Sequence, residues 1–299
     1  MPPSSNIRQL LDSIQKIAKV HNTEVTAKKI DKILKEGFGN LHVICDFDGT
    51  ITKYYKNKDK KERSPSSHVI LSLSSRLTSE FKEKTQALCD KYYPIEVDNS
   101  LTLEQKIPYM VEWWEQAHEL IINQNIKKDD FAAIVSETPM NIREGLKELI
   151  DKCKEKNVPF LIFSAGLRNV IEEALTKENL YHKENMHIVS NKMDFNPETG
   201  ICDKFVAPLI HVFNKSEITI KDSPYHQTIE DRRNVILLGD SVGDLQMSRG
   251  IEHDICLNIG FLNYIDDDLL NSYLKIFDIV VLDDGPMDVV NMILQTIEH

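Results

Sequence analysis

Cysteine is sparse and scattered in this chain. Cys45, Cys89, Cys153, Cys202 and Cys256 are the five among 299 residues, and none forms a CxxC pair. An odd, dispersed set argues against a disulfide framework or a zinc site and for a reducing compartment. Long apolar runs are also missing: nothing approaches the ~18 consecutive apolar residues of a spanning helix. The opening stretch, MPPSSNIRQLLDSIQKIAKV, mixes apolar and charged residues at helical spacing and lacks the unbroken apolar core of a signal peptide. A cytoplasmic protein with no membrane partner is therefore expected. Positive charge is in deficit, with 36 Lys and Arg against 47 Asp and Glu and a net charge of −11. That speaks against polymeric nucleic acid as a partner. An anionic small molecule would need local positive potential from a metal, a lysine or helix N-termini. Internal repeats and low-complexity tracts are absent.

What is present is an ordinary globular composition, 41% hydrophobic and 28% charged, in a length that suits about two domains. Short runs rich in Ile, Val and Leu mark strands at 41–46, 159–164, 186–190, 234–240, 254–260 and 278–284. Their continuous apolar character suits strands covered on both faces. Amphipathic stretches such as REGLKELIDKCKEKN and RNVIEEALTKENL separate most of them. The alternation predicts an α/β fold with a doubly wound parallel sheet. MDFNPETGICDKFV (193–206) reads as a hairpin turning at Pro197–Gly200.

One interval breaks the alternation. The stretch between the first and second strands far exceeds the dozen or so residues that a crossover needs. It carries two helical patterns, SSRLTSEFKEKTQALCDKYY and LTLEQKIPYMVEWWEQAHELIINQN. An inserted helical cap domain over 59–135 is expected, with the α/β core formed by 1–58 and 136–299. The lysine-rich run KYYKNKDKKERSP (53–65) leads into it and reads as a solvated linker.

In an open parallel sheet, ligands bind beyond the carboxyl ends of the strands. The first strand runs straight into Asp46-Phe47-Asp48-Gly49-Thr50, the second into Ser164-Ala165-Gly166, and the fourth into Gly239-Asp240 with Asp244 four positions on. Two carboxylates so close repel, and burying them is costly unless a cation compensates. Hard oxygen donors without nearby His or Cys suit Mg²⁺. Singly these motifs could be turn or helix caps. Their order and their common placement at strand ends argue for one site.

DFDGT, FSAG, an isolated lysine and GDSVGD resemble the four motifs of the haloacid dehalogenase superfamily of phosphatases. DKYYPIEVD, YMVEWW, FLIFSAG, LIHVFNK and ILLGDSVGDLQM together resemble the cytosolic 5′-nucleotidase III family, over nearly the whole chain past residue 40. The resemblance implies an Mg²⁺-dependent 5′-nucleotidase with Asp46 as nucleophile and Asp48 as acid and base. It places the metal on Asp46, the Asp48 main-chain carbonyl and Asp240, with Asp244 supporting. Phosphate would fall to Ser164, Ala165 and Lys215. The base would fall to Glu96 and to Trp114, with His68 on the base's other side. A monomer acting on a small nucleotide is expected.

Gly49 stands where animal members often carry Met. In EWWEQAH, Trp114 and Ala117 share a helical face and match members selective for 7-methylguanosine monophosphate; pyrimidine-selective members carry Tyr and Ser there. A wide indole suits a cationic methylated purine. The expected substrates are 7-methylguanosine monophosphate and pyrimidine monophosphates such as CMP. The rivals are a phosphatase of another small phosphometabolite such as phosphoserine, a nucleoside phosphotransferase, and a non-catalytic binding module.

Overall fold

The computed structural model describes residues 4–98, 100–216 and 224–297. In chain order the elements are α1 (Ser5–Ile14), β1 (Ala18–Val20), α2 (Thr23–Glu36), β2 (Leu41–Cys45), β3 (Tyr55–Asn57) and β4 (Glu62–Arg63). The helices α3 (Ile70–Leu73), α4 (Ser79–Val97), α5 (Leu103–Ile122), α6 (Asp130–Glu137) and α7 (Leu146–Glu155) follow. Then come β5 (Phe160–Leu167), α8 (Arg168–Lys177), β6 (Met186–Phe195), β7 (Cys202–Val206), α9 (Pro224–Ile229) and β8 (Asn234–Gly239). The chain closes with β9 (Ile255–Leu262), α10 (Asp267–Tyr273), β10 (Ile279–Leu282) and α11 (Asp288–Thr296). Among these residues no helix is long and apolar enough to cross a membrane.

The main sheet runs β1-β10-β9-β8-β2-β5-β6-β7. Its six central strands are mutually parallel, and β1 and β7 close its edges antiparallel. The six strands expected from apolar runs are these six. Their alternate residues face two cores. Leu41, Val43, Cys45, Phe160 and Ile162 join the helices through Ile30, Leu149, Val170 and Ile293. Ile44, Leu161, Phe163, Val235 and Leu237 pack on Tyr225, Ile229 and Met247. Burial on both faces removes any polar alternation, as parallel strands require. The hairpin over 193–206 is also present: Lys192 pairs with Val206 and Phe195 with Cys202.

From β2 the chain crosses one way to β5 and β6, and later the other way to β8, β9 and β10. The carboxyl end of β2 is thus the switch point of the sheet, where such folds place ligands. The lysine-rich run is not a plain linker. It forms the β3–β4 hairpin, with Tyr55 paired to Arg63 and Asn57 to Glu62. The Asp284 carboxylate, far along the chain, accepts from the N–H groups of Tyr54 and Tyr55 at 2.9 and 3.1 Å and anchors its entry. The expected division at 58/59 falls inside this hairpin and that at 135/136 inside α6. The Thr52–Ile142 bridge ties the two ends of the interval together.

Candidate active site

Asp46 leaves β2 with its N–H bonded to Leu238 O at 2.9 Å, so β8 fixes its height at the sheet edge. The chain then turns sharply. Gly49 adopts φ +80°, and its N–H donates to Thr52 Oγ1 at 3.0 Å. A Cβ at Gly49 would collide with the Asp240 carboxylate and stand 3.3 Å from Asn263 Nδ2. Glycine therefore serves twice here: for the left-handed turn and for the close approach of a second carboxylate.

Asp46, Asp240 and Asp244 each bring a carboxylate oxygen within 4.8 Å of the others. Lys215 lies among them, donating to Asp46 Oδ1 and, at 2.8 Å, to Asp244 Oδ1. The other oxygen of Asp244 accepts from the N–H groups of Asp240 and Ser241 at 3.1 and 2.9 Å and from Ser241 Oγ at 2.9 Å. Asp244 thus shapes the loop that carries Asp240. Burial pushes the Asp46 carboxyl up to about 7 against the pull of Lys215. Burial, with repulsion from Asp46 and Asp244, pushes Asp240 well above the usual range. Burial works against the Lys215 ammonium, but Asp244 and Asp46 outweigh it and keep it charged. One ammonium among three carboxylates leaves the cluster short of positive charge. An all-oxygen donor set with that deficit fits a hard divalent cation.

Asp48 lies within the same turn. Both its oxygens are taken by Ser67, the N–H at 2.7 Å and the hydroxyl at 2.6 Å. Ser164 is buried at the end of β5, its Oγ accepting from Gly166 N–H at 3.0 Å. The Ala165 carbonyl accepts from Trp114 Nε1 at 3.0 Å and from Asn191 Nδ2 at 2.7 Å. Asn191 also exchanges hydrogen bonds with the backbone of Ile210, on the way to Lys215.

Trp114 lies on the buried face of α5 with Met110, Ala117 and His118. Around Trp114 stand Tyr92, Ile95, Ala165 and Phe213. Glu96, near the end of α4, is half-buried; desolvation pushes its carboxyl up to about 7, against Lys106 and Lys215. Lys106 Nζ donates to Glu96 O at 2.8 Å. His68 meets Trp114 at 6.3 Å and 71°, edge to face. Desolvation holds His68 neutral, at about 4.

The sequence motifs missed several groups. Arg143 is buried and donates to the carbonyls of Thr50, Gly285 and Gly49, each at 2.6 Å, and to Asn263 Oδ1 at 2.9 Å. Asn263 Nδ2 reaches Gly49 O at 2.9 Å and Asp240 Oδ2 at 3.4 Å. Asn263 follows β9 directly, so the strand-end rule that found Asp46 and Asp240 reaches it too. Arg143, Ser67 and His118 carry no local signature. His118 Nε2 is buried without a hydrogen-bond partner among the described residues, and its ring stacks on Phe205 at 3.7 Å.

The model of the pyrimidine 5′-nucleotidase (UMPH-1) family matches residues 49–298. The chain belongs to this family. Among proteins similar to this pyrimidine 5′-nucleotidase family member is a 7-methylguanosine phosphate-specific 5′-nucleotidase of Gallus gallus, 42% identical over 269 residues that cover 90% of this chain and 91% of the relative. The Homo sapiens protein of that name is 41% identical, covering 90% and 88%. Among solved structures, cytosolic 5′-nucleotidase IIIB bound to cytidine superposes with a TM-score of 0.88 at 30% identity, over 98% of this chain and 97% of that one. A haloacid dehalogenase-family hydrolase of Salmonella enterica, at 14% identity and TM-score 0.51, shares the fold. The family that the motifs resemble is the family to which the chain belongs.

Proposed function

We propose that this chain is an Mg²⁺-dependent 5′-nucleotidase that hydrolyses 7-methylguanosine monophosphate and pyrimidine monophosphates such as CMP to nucleoside and phosphate. The observation that carries it is the clustering of Asp46, Asp240, Asp244 and Lys215 at the sheet's switch point, with Asp48 within the same turn. The names of its relatives and the cytidine in the cytosolic 5′-nucleotidase IIIB structure support the substrate class.

Asp46 is the nucleophile. One of its oxygens bonds to phosphorus as the P–O5′ bond breaks, and the leaving oxygen takes a proton from Asp48. Water then attacks the aspartyl-phosphate, returns a proton to Asp48 and frees Asp46. Lys215 holds the Asp46 carboxylate and offers a point charge to the phosphate. Ser164 and the Ala165 N–H receive the phosphate oxygens at the entrance to α8. Mg²⁺, held by Asp46, Asp240 and the Asp48 main-chain oxygen, would neutralise charge on the phosphoryl group.

The helices within 59–135, α4 and α5 among them, act as a cap that selects the base. Glu96 hydrogen-bonds it, the Trp114 indole supplies a stacking surface and His68 lies on the base's other side. Ala117 in place of a hydroxyl-bearing residue, beside the wide indole, favours the methylated purine. Phosphate release across a nucleotide panel tests the assignment. We expect 7-methylguanosine monophosphate and CMP to be turned over well ahead of AMP; a rate for 7-methylguanosine monophosphate no higher than for AMP defeats the specificity.

A further inference from the structure

Ser67 is buried, and it lies 19 residues after the Asp48 it binds, between β4 and α3. It is not spent on capping the turn into α3. Ser66 does that, its Oγ accepting from Val69 N–H at 3.2 Å and its carbonyl from Ile70 N–H at 3.1 Å. The other side of Ser67 rests on the Ser164–Gly166 segment of β5, where the register with β6 shifts. A Cβ at Gly166 would collide with Ser67 Oγ and stand 3.2 Å from Ser164 Oγ. The next residue is His68, in contact with Trp114. One serine thus adjoins the acid, the phosphate segment and the base pocket.

The two donors differ in kind. A backbone N–H can only donate, so the oxygen it holds, Oδ1, stays an acceptor. A hydroxyl can turn away, so the oxygen it holds can take a proton on its second lone pair without facing a fixed donor. Oδ2 is therefore the oxygen free to carry the proton, and Ser67 fixes the plane in which it is presented. We propose that Ser67 is the positioning residue of Asp48, setting which carboxylate oxygen bears the proton and aiming it at the leaving oxygen. This rests on the assignment of Asp48 as the acid. In the first half-reaction the Asp46–phosphorus bond forms and the P–O5′ bond breaks, its electron pair going to O5′. The proton on Asp48 Oδ2 passes to that oxygen, and the hydroxyl of Ser67 returns to donating to the carboxylate.

The test separates aim from fold through the leaving group. A nucleoside leaves as a poor, strongly basic alkoxide and needs the proton; p-nitrophenolate does not. Single-turnover release is measured by rapid quench for CMP and for p-nitrophenyl phosphate, in wild type, Ser67→Ala and Ser67→Thr. General acid catalysis is worth about 10²–10⁴-fold. Ser67→Ala should slow nucleoside release by about tenfold or more while p-nitrophenolate release stays within about threefold of wild type. Ser67→Thr should restore nucleoside release. Equal losses with both substrates, or no loss with either, overturn the role of Ser67. A wild-type chain that releases p-nitrophenolate but no nucleoside would sink the assignment of Asp48, and that of Ser67 with it.

Discussion

Asp46 and Glu96 are both carboxyls pushed up to about 7 by burial, yet they answer to different partners. Asp46 lies against Lys215 and two more carboxylates, and the role proposed for it is to bond phosphorus. Asp46→Asn should lower turnover by at least about 10⁴-fold, in the range seen when a covalent nucleophile is removed, with the circular dichroism spectrum unchanged. Near wild-type activity would end the covalent mechanism. Glu96 stands half-buried at the cap, where its protonation state decides what it can recognise. Its pKa is raised, so it holds its proton below about 7 and loses it above. Cytosine presents an acceptor beside a donor on its pairing edge, which suits a protonated carboxyl. The KM for CMP should therefore climb as pH rises from about 6 to 8, while Glu96→Gln, with a donor and an acceptor at any pH, should flatten the climb. Identical profiles would remove Glu96 from base recognition. At this scale the DxD pair and the terminal aspartates were legible because spacing along one strand end displays them. Arg143 and Ser67 were not, since their partners are set by the closure of the sheet and no local pattern encodes them.

At the scale of elements, the turn after β2 is held by one guanidinium. Arg143 binds the carbonyls of Gly49 and Thr50 and pairs with Asp284 Oδ1 at 3.3 Å, both side chains fully enclosed. Removing one partner of a buried pair strands the other's charge and costs about 3–5 kcal/mol. Arg143→Met should lower denaturant stability by that order; a loss below about 1 kcal/mol would show that the turn holds itself. The six parallel strands could be read directly, since burial on both faces leaves an unbroken apolar run. The β3–β4 hairpin could not. Its residues are lysine-rich and largely exposed, and its entry depends on Asp284, which lies about 230 positions further on.

For the whole molecule, the three-carboxylate cluster should make the native state responsive to divalent cations. A cation bound only by the folded chain stabilises it by about 2.7 kcal/mol at a hundred times its Kd. Mg²⁺ should raise Tm by several degrees in wild type and far less in Asp240→Asn, read by calorimetry with and without a chelator. An unchanged Tm in wild type would argue against the site. The over-long crossover filled with helices was visible in the sequence. Its seams were not, because composition changes gradually there while the chain pairing, Thr52 with Ile142, is abrupt.

Trp114 gives its indole N–H to the carbonyl of Ala165, and this has an evolutionary consequence. The side chain proposed for the base also braces the end of β5 proposed for the phosphate. Selection for a new nucleobase acting at Trp114 would perturb turnover at the same stroke, since phenylalanine has no donor and tyrosine presents its donor elsewhere. Ala117, one turn along the same buried face, braces nothing through its side chain. Drift in base preference is thereby channelled through the smaller residue first, with the larger one following only after that strand end has found another support.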